Sequence, residues 1–217
     1  MDFYGQEQRA LQDQYEVRPL ADVLEAAIVE TELNEMHIGF ISTRDFFFLS
    51  TVSAAGEPTV SYKGGDFGTV KVLDETTLAF PAYDGNSMFL SMGNIDATAK
   101  IGMLFIDFET PNRVRVQATA SFHQEDELLS EYPGAIGIVR ASVDRVFLNC
   151  ARYIHRHTRV ETSPYVPDEN GEQPYPAWKR IDGLQPFLHS GDQGRAESEG
   201  GVITEEEYGM AVMEGRS

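Results

Sequence analysis

Cysteine is nearly absent from this chain: Cys150 is the only one in 217 residues. A single thiol excludes an internal disulfide framework and a four-cysteine zinc site. Lysine is almost as scarce, with only Lys63, Lys71, Lys100 and Lys179. The formal net charge is -18. Binding to phosphate backbones or anionic lipid needs a basic surface, so neither nucleic acid nor membrane is expected as a main partner. Such an acidic, lysine-poor surface suits a high-salt cytoplasm and is also met in ordinary soluble proteins. No apolar run approaches the roughly 20 residues needed to span a bilayer. Met1 to Gln14 is polar and has no apolar signal region, which leads to the expectation of a soluble, cytoplasmic protein. There is no internal repeat. Neither GxGxxG nor GxxxxGK[ST] occurs, which speaks against a Rossmann domain or a nucleoside triphosphatase.

What is present suffices for a real core, since 41% of the residues are hydrophobic. Residues 1–18 are polar and read as a loose arm. Leu20, Val23, Leu24, Ala27 and Ile28 follow helical spacing and predict a helix over 19–30. Thr31 is placed to cap a second helix, with Leu33, Met36, Phe40 and Ile41 on its apolar face. Strands are predicted at Phe46 to Val52, Thr59 to Lys63, Gly68 to Leu73, Thr77 to Pro81, Ala99 to Phe108, Val114 to Phe122 and within Ala135 to Leu148. Short helices are predicted at Asn86 to Met92 and Gln124 to Tyr132. At least six short strands with peripheral helices fit a closed or partly closed antiparallel barrel better than alternating βαβ units. The domain spans 19–160. Residues 161–217, punctuated by proline and then rich in Gly, Glu and Ser, read as a loop-rich extension and flexible tail.

In so acidic a chain, a cation set among strands is notable. Lys63 ends one strand, and Arg113 and Arg115 start another on one common face. If the three converge at one barrel end, they can hold a phosphate by charge-assisted hydrogen bonds. Alternatively, the arginines are solvated on an outer face and paired with acidic neighbours. Ser61 shares the face of Lys63, where it either reaches a ligand or faces solvent. Gly64 and Gly65 either leave room for a ligand or form an ordinary turn. Asn86 and Ser87 stand where a short helix would begin, an anion-favouring place, or Asn86 is merely its cap. Asn94 is a further contact candidate, or ends that helix. Arg152, His155 and Arg156 form a basic patch. Cys150 reads as a buried thiol at a strand end, and His155 and His157 have no acidic partner at convincing metal-ligand spacing.

Asp45 to Val52, Ser61-Tyr62-Lys63-Gly64-Gly65, Phe80-Pro81 with Gly85-Asn86, and Gly93-Asn94-Ile95 together resemble the pyridoxamine 5'-phosphate oxidase-like family of FMN-binding split barrels. Arg113 to Ala120, and Asn149-Cys150 with Arg152 to His155, resemble its less characterised branch. The resemblance covers roughly residues 32 to 160. It implies a mainly β fold, a six-stranded antiparallel split barrel of Greek-key type with peripheral α-helices. It implies a homodimer with FMN at the subunit interface. It assigns Lys63 to the FMN phosphate, Ser61 to the same strand near the cofactor, and Phe80 and Pro81 to the flavin lining. Asn86 and Ser87 fall where the true oxidases carry an Arg-Lys pair, and Arg113 and Arg115 stand in as compensating cations. Arg113 or Arg152 is the candidate for the positive group near flavin N1. The oxidases' C-terminal Arg-x-His has no match. The expectation is an FMN-dependent oxidoreductase acting on an unknown small molecule. The alternatives are a non-catalytic flavin-binding or sensing module, or a split barrel using deazaflavin or haem.

Overall fold

A computed structural model describes residues 2–215, in two compact units with the chain dividing between Gly171 and Glu172. In the first unit the chain runs through α1 (Gln6–Gln14), α2 (Arg18–Ile28), β1 (Val29–Glu30), α3 (Glu35–Ser42), β2 (Phe46–Val52), β3 (Pro58–Gly64), β4 (Lys71–Asp74) and β5 (Thr77–Ala82). It continues with α4 (Leu90–Thr98), β6 (Lys100–Asp107), β7 (Asn112–His123) and β8 (Gly137–Asn149). The strands form one sheet in the order β3-β2-β6-β7-β8-β5-β4, with β1 added to β8. Every strand pair is antiparallel. The fold is therefore mainly antiparallel β with peripheral helices. It has eight strands where at least six were expected, and the sheet path ends at β3 and β4 without closing.

Period-two alternation builds the core. Phe47, Leu49 and Thr51 of β2 are buried, as are Val114, Val116, Ala118 and Ala120 of β7. The apolar ones among them meet Phe80, Phe105 and Val146 in one cluster, in which the Phe47 and Phe80 rings lie edge to face at 5.0 Å. Burying each such side chain is worth about 1.5–3 kcal/mol. α3 begins at Asn34, whose side-chain oxygen accepts from the His37 backbone N–H at 3.0 Å. The buried His37 Nδ1 accepts in return from the Asn34 N–H, so two orphan donors of the helix end are satisfied at once.

Several expectations need correction. The polar arm holds α1 and the start of α2, tied by ion pairs from Arg9 to Asp22 and Glu25. Asn34, not Thr31, caps the second helix. The helix expected at Asn86 to Met92 instead runs Leu90–Thr98. Two side chains delay it: Asp84 accepts from the Ser87 N–H, and Asn86 accepts from the Met88 N–H. Such side-chain turns compete with helix. Ser87 and Phe89 also take left-handed backbone, with φ of 58° and 51°. The segment read as helix at Gln124 to Tyr132 is a 3-10 turn, Glu127–Glu131, capped by Asp126. Finally, the expected flexible tail is a compact unit. It contains 3-10 turns at Ala177–Arg180 and Asp182–Phe187 and helices α5 (Arg195–Ser198) and α6 (Glu205–Met213). A parallel bridge links Ile181 to Ile203, Arg180 donates to the carbonyls of Gly200 and Gly201, and Arg195 stacks over the Tyr175 ring at 4.7 Å. Among the described residues no helix is long and apolar enough to cross a membrane.

Candidate functional site

On β3, Thr59, Ser61 and Lys63 stand in phase, opposite Thr51, Leu49 and Phe47 of β2. All three therefore share the core-facing side of the sheet. α4 lies over this corner. Ser61 Oγ and Ser91 Oγ are 3.2 Å apart. The Asn94 amide donates to Thr51 Oγ1 at 3.0 Å and Thr59 Oγ1 at 3.4 Å, and Thr98 Oγ1 donates to the Val52 carbonyl at 2.9 Å. These polar contacts seat the helix on the edge strand. Sequence reasoning missed Ser91, Thr51 and Thr59, whose partners lie far along the chain.

Lys63 is the exception in this corner. It is half-buried, yet its ammonium makes no hydrogen bond or ion pair among the described residues. Burial pushes its pKa below the usual lysine value. An ammonium partly removed from water without a partner is unfavourable, and an anionic ligand would remove that cost.

The glycines after it are packing glycines. A Cβ on Gly65 would run into the Thr69 side chain, and one on Gly64 would meet the Tyr62 ring. The Gly65 N–H donates to the Asp45 carbonyl at 2.8 Å, which fixes the turn. Asn86 and Ser87 lie in an exposed loop ahead of α4, not at its first turn. Asn94 lies inside α4 and does not end it. It is 8% exposed, and its amide is spent on the two threonines, which leaves it a structural tether.

The remaining candidates are placed differently. Phe80 is 1% exposed and packed on Phe47, and Pro81 is buried beside it, so neither side chain lines an open surface. Arg113 and Arg115 alternate with the buried Val114 and Val116, so they project from the outer face, opposite to Lys63. Three strand spacings separate β3 from β7, about 14 Å. The three cations do not converge within one chain. Nor are the arginines ion-paired among the described residues, and Arg113 Nε is buried with no hydrogen-bond partner. Arg152 lies in the exposed loop after β8, its guanidinium 6.0 Å from the Tyr153 ring. Cys150 is exposed, not buried, and its sulfur accepts from the Arg152 N–H.

The family model for pyridoxamine 5'-phosphate oxidase matches residues 33–148, which contain β2 to β7, nearly all of β8 and the Lys63 corner. No curated protein matches the sequence. Among solved structures, a putative pyridoxamine 5'-phosphate oxidase from Lactobacillus delbrueckii is 27% identical, with a TM-score of 0.44, over 54% of this chain and 95% of that one. An FMN-binding protein from Syntrophomonas wolfei is 12% identical, with a TM-score of 0.41, over 66% and 97% of the two chains. The haem storage protein HutZ from Vibrio cholerae is 20% identical, with a TM-score of 0.39, over 54% and 94%. The family match spans more than half of the sequence and includes the strand that carries the unpaired lysine: this chain belongs to the pyridoxamine 5'-phosphate oxidase family.

Proposed function

We propose that the protein is an FMN-binding flavoprotein that acts as an oxidoreductase on a small molecule and works as a homodimer. One observation carries the reading. Lys63 is a half-buried cation without a partner, on the strand that the family resemblance assigns to the FMN phosphate. In a chain of net charge -18 a desolvated, uncompensated lysine needs a reason, and a phosphate supplies one.

The residues present fit the cofactor in part. Lys63 would hold the phosphate, and Ser61, two residues before it, would offer a hydroxyl on the same face. The Asn86 and Ser87 loop is exposed and accessible, but it brings no positive charge. Phe80 and Pro81 would contribute through their backbone alone, because their side chains belong to the core. The clamp of one chain thus rests on a single cation. Arg113 and Arg115 would join it from a second copy, whose outer sheet face meets the first. A second copy would also give the buried Arg113 Nε an acceptor.

When bound, the isoalloxazine supplies hydride or electron transfer, and the protein supplies position and electrostatics. The chain's own part is to neutralise the phosphate at Lys63 and to hold α4 rigidly through Asn94. The reading is tested by loading the protein with FMN and adding NADH or NADPH anaerobically. Bleaching of the flavin band, followed by its return on adding an electron acceptor, is expected of an oxidoreductase. A bound flavin that neither nucleotide reduces would leave a binding or sensing module.

A further inference from the structure

The outer face of the same sheet corner carries a row of aromatic rings. Phe46 of β2 stacks on Tyr62 of β3 at 5.3 Å and 16°, and on Phe108, just beyond β6, at 5.9 Å and 8°. Phe48 meets both Phe46 and Tyr62 edge-on. Residues 157–163 cross in front of this row. They are held by the His157 N–H on the Phe108 carbonyl at 3.1 Å and by the Arg159 guanidinium 4.9 Å above the Phe67 ring. Just before them, Arg156 Nε donates to the Glu109 carbonyl at 3.0 Å. A cavity of about 450 Å3 with mainly apolar walls lies between the strap and the rings. That size falls within the range of small-molecule sites.

Its charge is not balanced. Asp45, Asp107, Glu109 and Glu161 line it, against Arg44 and Arg159. Both arginines are ion-paired, Arg44 to Asp107 at 2.8 Å and Arg159 to Asp45, although the buried Arg44 Nε has no hydrogen-bond partner. Glu109 and Glu161 are left in surplus, and Glu161 has no hydrogen bond or ion pair among the described residues. Near-parallel ring faces accept a further flat ring in offset stacking. The same faces carry negative quadrupole density and attract cations. Surplus carboxylates strengthen that preference and repel anions.

We propose that this cavity binds a planar aromatic cation: a fused or substituted heteroaromatic ring bearing a protonated nitrogen. The site lies on the opposite face of β3 from Lys63, on the sheet face from which Arg113 and Arg115 project. It differs from the Lys63 corner in charge preference, so one molecule does not satisfy both. The ring stacks on the exposed face of Tyr62, and the charge is neutralised by Glu109 and Glu161.

The test is isothermal titration calorimetry of the full chain with 9-aminoacridine, a flat cation, and with anthracene-9-carboxylate, a flat anion of similar size. Saturable binding of the cation is expected, with Kd on the order of 10 µM, and at least about tenfold weaker binding of the anion. Tyr62 is 61% exposed, so Tyr62→Ala leaves the core intact. It should weaken the cation about tenfold through the lost ring face. The double variant Glu109→Gln/Glu161→Gln should weaken the cation and narrow the gap to the anion. Both variants should take up FMN as the wild type does, and FMN-saturated protein should still bind 9-aminoacridine. The proposal is overturned by no saturable binding below about 1 mM, by equal affinity for the anion, by unchanged binding in both variants, or by displacement of the probe by FMN.

Discussion

Replacing Lys63 by alanine removes the one half-buried cation of the inner corner that has no protein partner. If it holds a phosphate, the lost charge-assisted hydrogen bond costs about 1.5–3 kcal/mol of FMN affinity. At about 1.4 kcal/mol per decade that is roughly a tenfold to 150-fold rise in Kd. Flavin fluorescence quenching, titrated into the apoprotein of wild type and Lys63→Ala, reads it directly. The same substitution should leave riboflavin affinity nearly unchanged, since riboflavin has no phosphate. Stability should move the other way. Burial lowers the folded-state pKa of Lys63, so the unfolded chain holds that proton more tightly. The apoprotein should therefore gain stability as pH rises from the depressed folded value through the ordinary 10.5, and Lys63→Met should abolish that gain. A Lys63→Ala protein that binds FMN as tightly as wild type would refute the assignment. So would an equal loss of FMN and riboflavin, because the residue would then be acting on the fold and not on the phosphate.

Three further outcomes follow from the packing. Asn94→Ala leaves Thr51 and Thr59 without their shared donor and should cost about 1–3 kcal/mol in urea unfolding. Phe80→Ala opens a cavity at the centre of the core and should cost about 3–5 kcal/mol. Whatever fraction stays folded should bind FMN normally, which a flavin-lining side chain would not allow. His37 is buried as an acceptor in the α3 cap, and burial lowers its pKa against a smaller raising effect of Glu30. The unfolded chain then binds the proton first, so stability should fall as pH drops from 6.5 toward the folded value. His37→Gln keeps a capping acceptor without the titration and should flatten that part of the thermal-unfolding profile.

Much of the sheet is legible in the sequence because its strands alternate cleanly. Phe46–Val52 begins and ends as read. Lys63 and Ser61 share a face for the same period-two reason. The phase between strands was not readable: on β3 the apolar Val60 and Tyr62 are exposed while Thr59, Ser61 and Lys63 face inward, so alternation alone would place Lys63 with the arginines. Val114, Val116, Ala118 and Ala120 are the apolar phase of β7, which leaves Arg113 and Arg115 outside. The start of α4 was harder to read. Asp84 and Asn86 are good caps by type, yet here they close side-chain turns and pass the helix start to Leu90. The order within 172–215 rests on single pairings such as Arg195 over Tyr175 and Arg180 on the Gly200 carbonyl, which composition does not reveal. The aromatic cavity joins residues from 44 to 166, a juxtaposition that only the strand order creates.

If the Lys63 corner is the phosphate end of a flavin site, the protein must distinguish FMN from riboflavin. The most direct measurement compares FMN with riboflavin on the wild-type apoprotein by fluorescence quenching. FMN is expected to bind at least about tenfold more tightly, the smallest share expected of one charged hydrogen bond. Equal affinities, or no binding of either, would contradict it.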